Sequence, residues 1–417
     1  MNVIYLTQVF ETGQDPGSER HFYFCRYLAR HDHTVTAITS NVDYKRATVK
    51  YPGEGWCVRR QIDGVSICYV YSYASFRGSF KKRFWYYLTY LFAAVLAGLF
   101  VRKPDVVYAV STPLTVGLLG YLLSCLRGVS FVFEVTDVWP DAAVAVGVVR
   151  NQAFIRAAHW LEMFCYRKAA RIVALTEGIR DNIVGKGVPA EKVLLITNGV
   201  DTSLFQVRPA GDDNRMRLRR ELRFDGRFVC MYLGAHGAYN ALGTIIDAAE
   251  ALSSDPRYLC VLVGDGDEKP RLQAMVHQRG LANVRFLPPI PRKDTPPLLQ
   301  AADAFLLPNR RGEFYAMNLP NKLFDFLASG RPIVVAGHGE SAELVQSARA
   351  GYVVPAEEGA AMAEAIKRLT ALGCAERATM GQSGRRYVLE NYDRNKLSRT
   401  FLDVLERVVR STGGDKG

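Results

Sequence analysis

The amino-acid sequence predicts an α/β protein made of two doubly wound domains, each a parallel sheet covered by helices on both faces. Three observations carry this reading. Short β-rich runs alternate with helical patterns along the whole chain. Several of those runs are apolar on both faces, as strands of a covered parallel sheet are. The 417 residues also suit two domains of roughly 100–200 residues each.

In the first half, strands are expected at Val3–Thr7, Thr34–Thr39, Val65–Tyr71, Val106–Val110, Phe131–Val135, Ile172–Leu175 and Val193–Ile196. In the second half they are expected at Val229–Leu233, Leu259–Val263, Val284–Leu287, Ala304–Leu307, Ile333–Val335 and Tyr352–Val354. Helical patterns lie between them at His21–Arg30, Leu114–Leu126, Ala153–Ala169, Leu242–Leu252, Asp267–Arg279, Asn321–Ala328 and Glu357–Leu372. The sharpest change of composition is Gln206–Arg220, a polar stretch with Pro and Gly after the turn Asn198-Gly199. The expected division is therefore a domain over 1–205, a linker over 206–220 and a domain over 221–417. Each half opens with a strand and a glycine-bearing loop, so two Rossmann-like domains facing a central cleft are expected. The last helices, Ala375–Glu390 and Asn395–Val409, either close the second domain or return to the first.

Apolar residues make up 49% and charged residues 23%, which excludes a disordered chain. The net charge of +12 suits nucleic acid, anionic lipid or phosphorylated ligands. It is concentrated in the first half, where residues 1–200 hold 23 Lys and Arg against 15 Asp and Glu. Nucleic acid is disfavoured, because no recognition motif and no Arg and aromatic cluster shares a helix. The eight Cys are scattered, with no metal spacing, and read as thiols in a reducing compartment. The N-terminus shows no signal-peptide pattern.

Phe84–Val101 is an uncharged run flanked by Lys81-Lys82-Arg83 and Arg102-Lys103. From Tyr71 to Lys103 there are six basic residues and no acid. A helix lying at an anionic membrane surface is the preferred reading. A buried core helix and a genuine span remain open.

Several loops are placed to carry chemistry. The first strand runs into a loop with Gly13, Gly17 and Ser18 before a helix, a pattern that presents free N–H groups to an anion. Its spacing is not that of a dinucleotide fingerprint, and a plain connecting loop stays open. In the second half, Gly234-Ala235-His236-Gly237 and Gly264-Asp265-Gly266-Asp267 each follow a strand, where ligands gather in such sheets. The long loop Pro308–Pro320 holds Arg310 and Arg311 and precedes a helix with Lys322 in its first turn. A cation there opposes the helix dipole unless an anion sits nearby. Asp325, three residues on, faces the same side and can accept two ribose hydroxyls; a solvated ion pair with Lys322 is the alternative. Phe131–Asp141 carries Glu134 and Asp137 near a buried strand end, where carboxylates are costly unless used or paired. Helix capping by Asp137 or Asp141 is the alternative there.

Taken together, the segments FEVTDVWPDAAVAVG, ALTEGIRDNIVGKGVPAEKV with TNGVD, YLGAHGAYNALGTIIDAAEAL, LVGDGDEKPRL, NVRFLPPIPRKD and LPNKLFDFLASGRPIVVAG resemble family 4 retaining glycosyltransferases of the GT-B fold. The resemblance is strongest to the bacterial branch that builds surface polysaccharide and O-antigen (the fucosamine-transferase-like group). It implies a hexosyltransferase-type enzyme. The donor would be a UDP-sugar and the acceptor a polyprenyl-diphosphate-linked saccharide, at the inner face of the cytoplasmic membrane. Metal or other cofactors are not expected.

Residue by residue, the resemblance implies that Asp137 meets the acceptor hydroxyl and that Gly17 and Ser18 close the site; Glu134 and Glu313 stand with Asp137 as the candidate catalytic acids. Gly234, His236, Gly237 and Asn240 approach the diphosphate. Leu287 and its neighbours hold the base. The Ala316, Met317, Asn318 and Leu319 amides, with Lys322 and Arg310, hold the phosphates, and Asp325 takes the ribose. The family's usual pair of glutamates is altered: Met317 stands where the first is expected, Asp325 replaces the second, and Glu313 is the nearest other acid. A sugar-nucleotide epimerase of the same fold, or a non-catalytic binder of sugar nucleotide or lipid, is the alternative.

Overall fold

A computed structural model describes residues 1–12, 19–44, 46–76, 80–111, 113–145, 149–205 and 213–413. The described chain divides into two compact units. One contains the chain up to Thr197 and, again, the segment from Asn395 onward; the other contains Asn198–Arg394.

In unit one the strands are β1 (Asn2–Leu6), β2 (Thr34–Ser40), β3 (Val42–Asp43), β4 (Thr48–Val49), β5 (Cys57–Ile62), β6 (Val65–Val70), β7 (Val106–Val110), β8 (Ser130–Val135), β9 (Arg171–Ala174) and β10 (Val193–Leu195). Among the described residues the main sheet has the order β10-β9-β8-β7-β1-β2-β6-β5, and β3 pairs with β4 apart from it. All of its neighbours run parallel except β5 and β6. All five residues of β7 are buried, as a run apolar on both faces requires. The antiparallel β5, CVRRQI, alternates in exposure and puts its charges on the sheet edge, where charge discourages further pairing.

Unit two carries β11 (Phe228–Leu233), β12 (Tyr258–Val263), β13 (Val284–Leu287), β14 (Ala304–Pro308), β15 (Ile333–Ala336) and β16 (Gly351–Val354). They form an all-parallel sheet in the order β13-β12-β11-β14-β15-β16. Each sheet has a separate apolar core on each face.

Three expectations are corrected or resolved. The stretch expected as a linker is in part a helix, Asp213–Glu221; residues 206–212 lie outside the described ones. Two of its arginines bind into unit two. Arg219 donates to the carbonyls of Ala301, Phe224 and Arg227, and both Arg215 and Arg219 pair with Asp303. The last helix, Arg394–Gly413, belongs almost wholly to unit one. Its Phe401 stacks on Phe24 at 4.7 Å and meets Tyr108 edge-on at 4.8 Å.

The uncharged run forms the helix Phe80–Leu99. One face is core: Tyr86, Tyr90, Ala93, Ala94 and Ala97 are buried, and the Tyr90 hydroxyl donates to the carbonyl of Ile38. The other face is open, exposing Phe84, Trp85, Phe92 and Leu96. No described helix is long and apolar enough to cross a membrane.

Candidate donor-binding site

The carboxyl ends of β11, β12 and β13 are laced together by main-chain bonds. Gly234 N–H donates to Val263, His236 N–H to Asp265, and Gly264 N–H to Leu287. Glycine is required at the crossing. A Cβ on Gly264, at φ +141°, would sit 2.0 Å from the Gly234 carbonyl oxygen, and one on Gly266 would sit 2.5 Å from that of His236. Leu287 is thus locked into the sheet end, its carbonyl already accepting one bond.

His236 is fully buried beneath these turns. Neither ring nitrogen has a partner among the described residues. Burial, aided by Lys269, lowers its pKa to about 4. The imidazole is therefore neutral near pH 7 and brings no charge to the turn.

The charge comes from Lys322, in the first turn of the helix Asn321–Ala328, whose N-terminus has no side-chain cap. Its Nζ donates to the Tyr232 hydroxyl at 2.5 Å and to Asn240 Oδ1 at 3.1 Å, and lies 4.3 Å from the Tyr232 ring centroid. A Cβ on Gly234 would lie 2.7 Å from this nitrogen, so the ammonium rests on the glycine turn. Among the described residues no carboxylate pairs with it. Burial lowers its pKa from the ordinary 10.5 to about 7. The alternative of an ion pair between Lys322 and Asp325 is not what the structure shows. Asp325 turns away and is held by Arg292 through both oxygens, at 2.5 and 2.7 Å.

The segment Ala316–Leu319 is braced from three sides. Ser341 Oγ donates to the Asn318 carbonyl and Asn198 Nδ2 to that of Leu319. A Cβ on Gly339 would lie 2.3 Å from the Ala316 carbonyl oxygen. The expectation that all four amides meet phosphate is corrected, because Ala316 N–H already donates to Gly312 and Asn318 N–H to Tyr315. Arg310 is half-buried, and its Nε has no partner among the described residues. Arg311 is engaged with neighbouring groups: its Nε donates to the Ala356 carbonyl and its guanidinium pairs with Glu358. Glu313 opens the short helix Glu313–Ala316 and is exposed.

In unit one, Asp137 follows β8 by two residues and is exposed. Asp141 begins the helix Asp141–Ala145 and pairs with Lys186 at 2.8 Å. Glu134 is corrected from catalytic to structural. It is wholly buried, bonded to Arg20 Nε at 2.9 Å and to the Tyr108 hydroxyl at 2.5 Å. Burial alone would raise its pKa, but the charges of Arg20 and His21 and the bond from Tyr108 hold it below the usual carboxylate range. Arg20 in turn donates to the carbonyls of Ile196 and Thr197. Gly17 and Ser18 lie outside the described residues.

Sequence reasoning missed three residues that shape this region: Tyr232, Arg292 and Asn198. Tyr232 reads as one more apolar strand position, and Arg292 as a surface charge. Asn198 reads as a turn residue within the segment TNGVD, with no partner indicated.

Comparison with known proteins follows the same division. A family described as "Glycosyl transferase 4-like domain" matches residues 19–199, and "Glycosyl transferases group 1" matches residues 227–371. A putative colanic acid biosynthesis glycosyl transferase, WcaI of Escherichia coli, is 26% identical over 74% of this chain and 76% of its own length. The α-D-kanosaminyltransferase of Streptomyces kanamyceticus is 27% identical over 51% of this chain and 54% of its own. Among solved structures, HepE of Anabaena in complex with UDP and glucose is 19% identical, with a TM-score of 0.73 over 97% of this chain and 99% of that one. Sucrose-phosphate synthase of Thermosynechococcus elongatus is 17% identical, with a TM-score of 0.78 over 98% and 99%.

Proposed function

The chain belongs to the group 1 and 4-like glycosyl transferases, with the GT-B fold, and from that premise we propose that it moves a sugar from UDP to a lipid-linked saccharide, with retention, during assembly of a bacterial surface polysaccharide. One observation carries the donor side: Lys322 is a half-buried cation whose hydrogen-bond partners are all neutral, set on a glycine turn at the strand ends. Such a group favours an anionic ligand. HepE, of the same fold, has been seen with UDP and with UDP-glucose, which supports uridine as the base. WcaI, in colanic acid synthesis, supports the polysaccharide role.

In this reading Lys322, Arg310, a neutral His236 N–H and the amides at the start of helix Asn321–Ala328 meet the diphosphate. They stabilise it as it leaves, which is electrostatic catalysis by groups already in place. The charge is assigned to these side chains and amides, not to a metal. Asp137 orients the acceptor hydroxyl, and the departing phosphate takes its proton.

The acceptor's lipid is met by a face of three neighbouring helices of unit one, Phe80–Leu99, Thr115–Arg127 and Gln152–Lys168. They expose Trp85, Phe92, Leu96, Leu126 and Trp160, with Phe100 just beyond the first helix. The exposed charges on these helices are basic: Lys81, Lys82, Arg83, Arg156, Arg167 and Lys168. The one acid among them, Glu162, is buried and paired with Lys186 at 2.7 Å. Aromatic side chains over a basic rim match an anionic membrane surface, where each Lys or Arg adds about 1 kcal/mol.

The test is a thermal-shift panel of UDP-, GDP- and ADP-sugars, followed by transfer assays with lipid-linked saccharides. A shift confined to UDP-sugars, and sugar transfer that depends on acceptor, are expected. A preference for GDP or ADP overturns the base assignment. Conversion of the nucleotide sugar without acceptor overturns the transfer reading in favour of epimerisation.

A further inference from the structure

The Tyr232 hydroxyl sits between a cation and a carbonyl, and its polarity is forced. When Lys322 is charged, its ammonium can only donate, so the phenol oxygen accepts from Lys322 Nζ. Its own proton then goes to the Ala235 carbonyl, 2.9 Å away. Burial raises the phenol pKa well beyond its ordinary value, so this proton stays in place at working pH. Asn240 repeats the arrangement: its Nδ2 donates to the same Ala235 carbonyl at 3.0 Å, and its Oδ1 accepts from the same Lys322 at 3.1 Å. Two neutral side chains thus tie one ammonium to one backbone carbonyl of the Gly234–Gly237 turn. Tyr232 lies on β11 and is fully buried, so its hydroxyl is fixed by the sheet itself. Neutral tethers orient the charge without neutralising it. A carboxylate in either position would hold the lysine more strongly but would cancel the charge a diphosphate needs.

We propose that Tyr232 is a positioning residue for the donor, acting through Lys322 and the Ala235 carbonyl to hold ammonium and glycine turn in one fixed relation. The proposal rests on the reading that Lys322 meets the donor diphosphate. The ionisable groups around this point are few. His236 faces Tyr232 at 6.1 Å between ring centroids. Lys269 donates to the Gly264 carbonyl at 2.9 Å and lies 3.9 Å from Asp265.

Tyr232→Phe removes the hydroxyl and keeps the ring. UDP binding is measured by calorimetry from pH 6 to 9, with turnover and melting temperature alongside. The variant is expected to melt within a few degrees of wild type and to bind UDP about tenfold more weakly. Its affinity should begin to fall at lower pH, because the ammonium has lost an acceptor. Its kcat should fall while the acceptor KM stays unchanged. Asn240→Asp serves as a second variant should Tyr232→Phe fold poorly. It is expected to weaken UDP binding and move the pH dependence to higher pH, since it supplies a counter-charge. UDP affinity and pH profile at wild-type values in either folded variant overturn the positioning role. Wild-type protein that binds UDP and transfers sugar keeps the donor reading alive in that case; wild-type protein that binds no nucleoside diphosphate overturns both.

Discussion

The guanidinium of Arg292 holds both carboxylate oxygens of Asp325, at 2.5 and 2.7 Å. Both side chains are buried, and the arginine also lies 5.8 Å from the Phe205 ring. Asp325 is one carbon shorter than the glutamate the family resemblance leads one to expect, and Arg292 engages both its oxygens. Breaking a buried pair leaves an uncompensated charge, so Arg292→Met is predicted to cost roughly 3–5 kcal/mol of stability. The double variant Arg292→Met with Asp325→Leu should recover most of that loss. Urea unfolding of the single and double variants checks this. A single variant as stable as wild type shows that the pair contributes nothing to the fold.

A second prediction follows from the pKa of Lys322, lowered to about 7 by burial. A diphosphate binds the charged form and raises that pKa. UDP affinity is therefore greatest below about pH 6.5 and falls as pH rises through 7. The ligand-free protein behaves oppositely. Between about 7 and the unfolded value the unfolded chain binds the extra proton, so this group's contribution to stability rises with pH. Lys322→Ala is expected to remove both trends and to weaken UDP binding by roughly 1.5–3 kcal/mol. Calorimetry in buffers of different ionisation enthalpy should show proton uptake on binding at pH 8. No uptake, with affinity flat across pH 7, excludes Lys322 from the diphosphate site.

Glu134 provides a third test. Its pKa lies below the usual carboxylate range because Arg20, His21 and Tyr108 outweigh its burial. Its contribution to stability is present above the unfolded carboxylate value and is lost as pH falls through the folded one. Glu134→Gln should flatten that part of the acid-unfolding curve and destabilise the protein at neutral pH. If the catalytic reading were right, the same variant would lose turnover with its melting temperature unchanged.

Most of the fold is legible in the sequence because covered parallel strands are nearly continuous apolar runs. The strand from Val106 to Val110 is wholly buried and was predicted to the residue. The strand Cys57–Ile62 escaped notice because an edge strand carries charge in alternation, as Arg59 and Arg60 do. The glycine turns and Lys322 were legible too, since local spacing alone marks a loop that leads into a helix. What was not legible is pairing over long separations. Glu134 was recognised as a costly buried acid that must be used or paired, but its partner Arg20 lies 114 residues away. Arg292 and Asp325 are 33 apart, and no local pattern links them. The run Phe84–Val101 was ambiguous for a physical reason: one of its faces is core and the other open.

The fourth prediction concerns that open face. Phe92, Phe100 and Trp160 changed together to Ser are expected to lower binding to anionic vesicles and leave the melting temperature almost unchanged, because all three are well exposed, at 60%, 69% and 68%. Lys81, Lys82 and Arg83 changed to Gln should also lower binding, and added salt should mimic that second change only. Vesicle flotation that responds to neither set removes the membrane from the reading.

The last prediction concerns Asp137, two residues past the carboxyl end of β8 and exposed. A carboxylate at this end of a parallel sheet is where such folds present groups to ligands. It can accept a hydrogen bond from the acceptor and favour the positive character that builds on the attacking oxygen as it bonds to the sugar carbon, before its proton passes to the departing phosphate. General-base help is typically worth roughly 10²–10⁴ in rate, and misplacing a reacting hydroxyl costs about as much as the low end of that range. Asp137→Asn keeps the shape and removes the charge. Turnover is expected to fall at least about a hundredfold. UDP affinity should hardly change, since the groups assigned to the diphosphate, Lys322, Arg310 and His236, all belong to the other unit. Were Asp137 only a helix cap, Asn would replace it at a cost of a few tenths of a kcal/mol, because the two cap about equally well. Steady-state rates and melting curves of the one variant therefore separate the two roles. Near-wild-type turnover in a folded Asn variant sinks the catalytic role; a large loss with an unchanged melting temperature and unchanged UDP affinity confines the effect of Asp137 to the acceptor step.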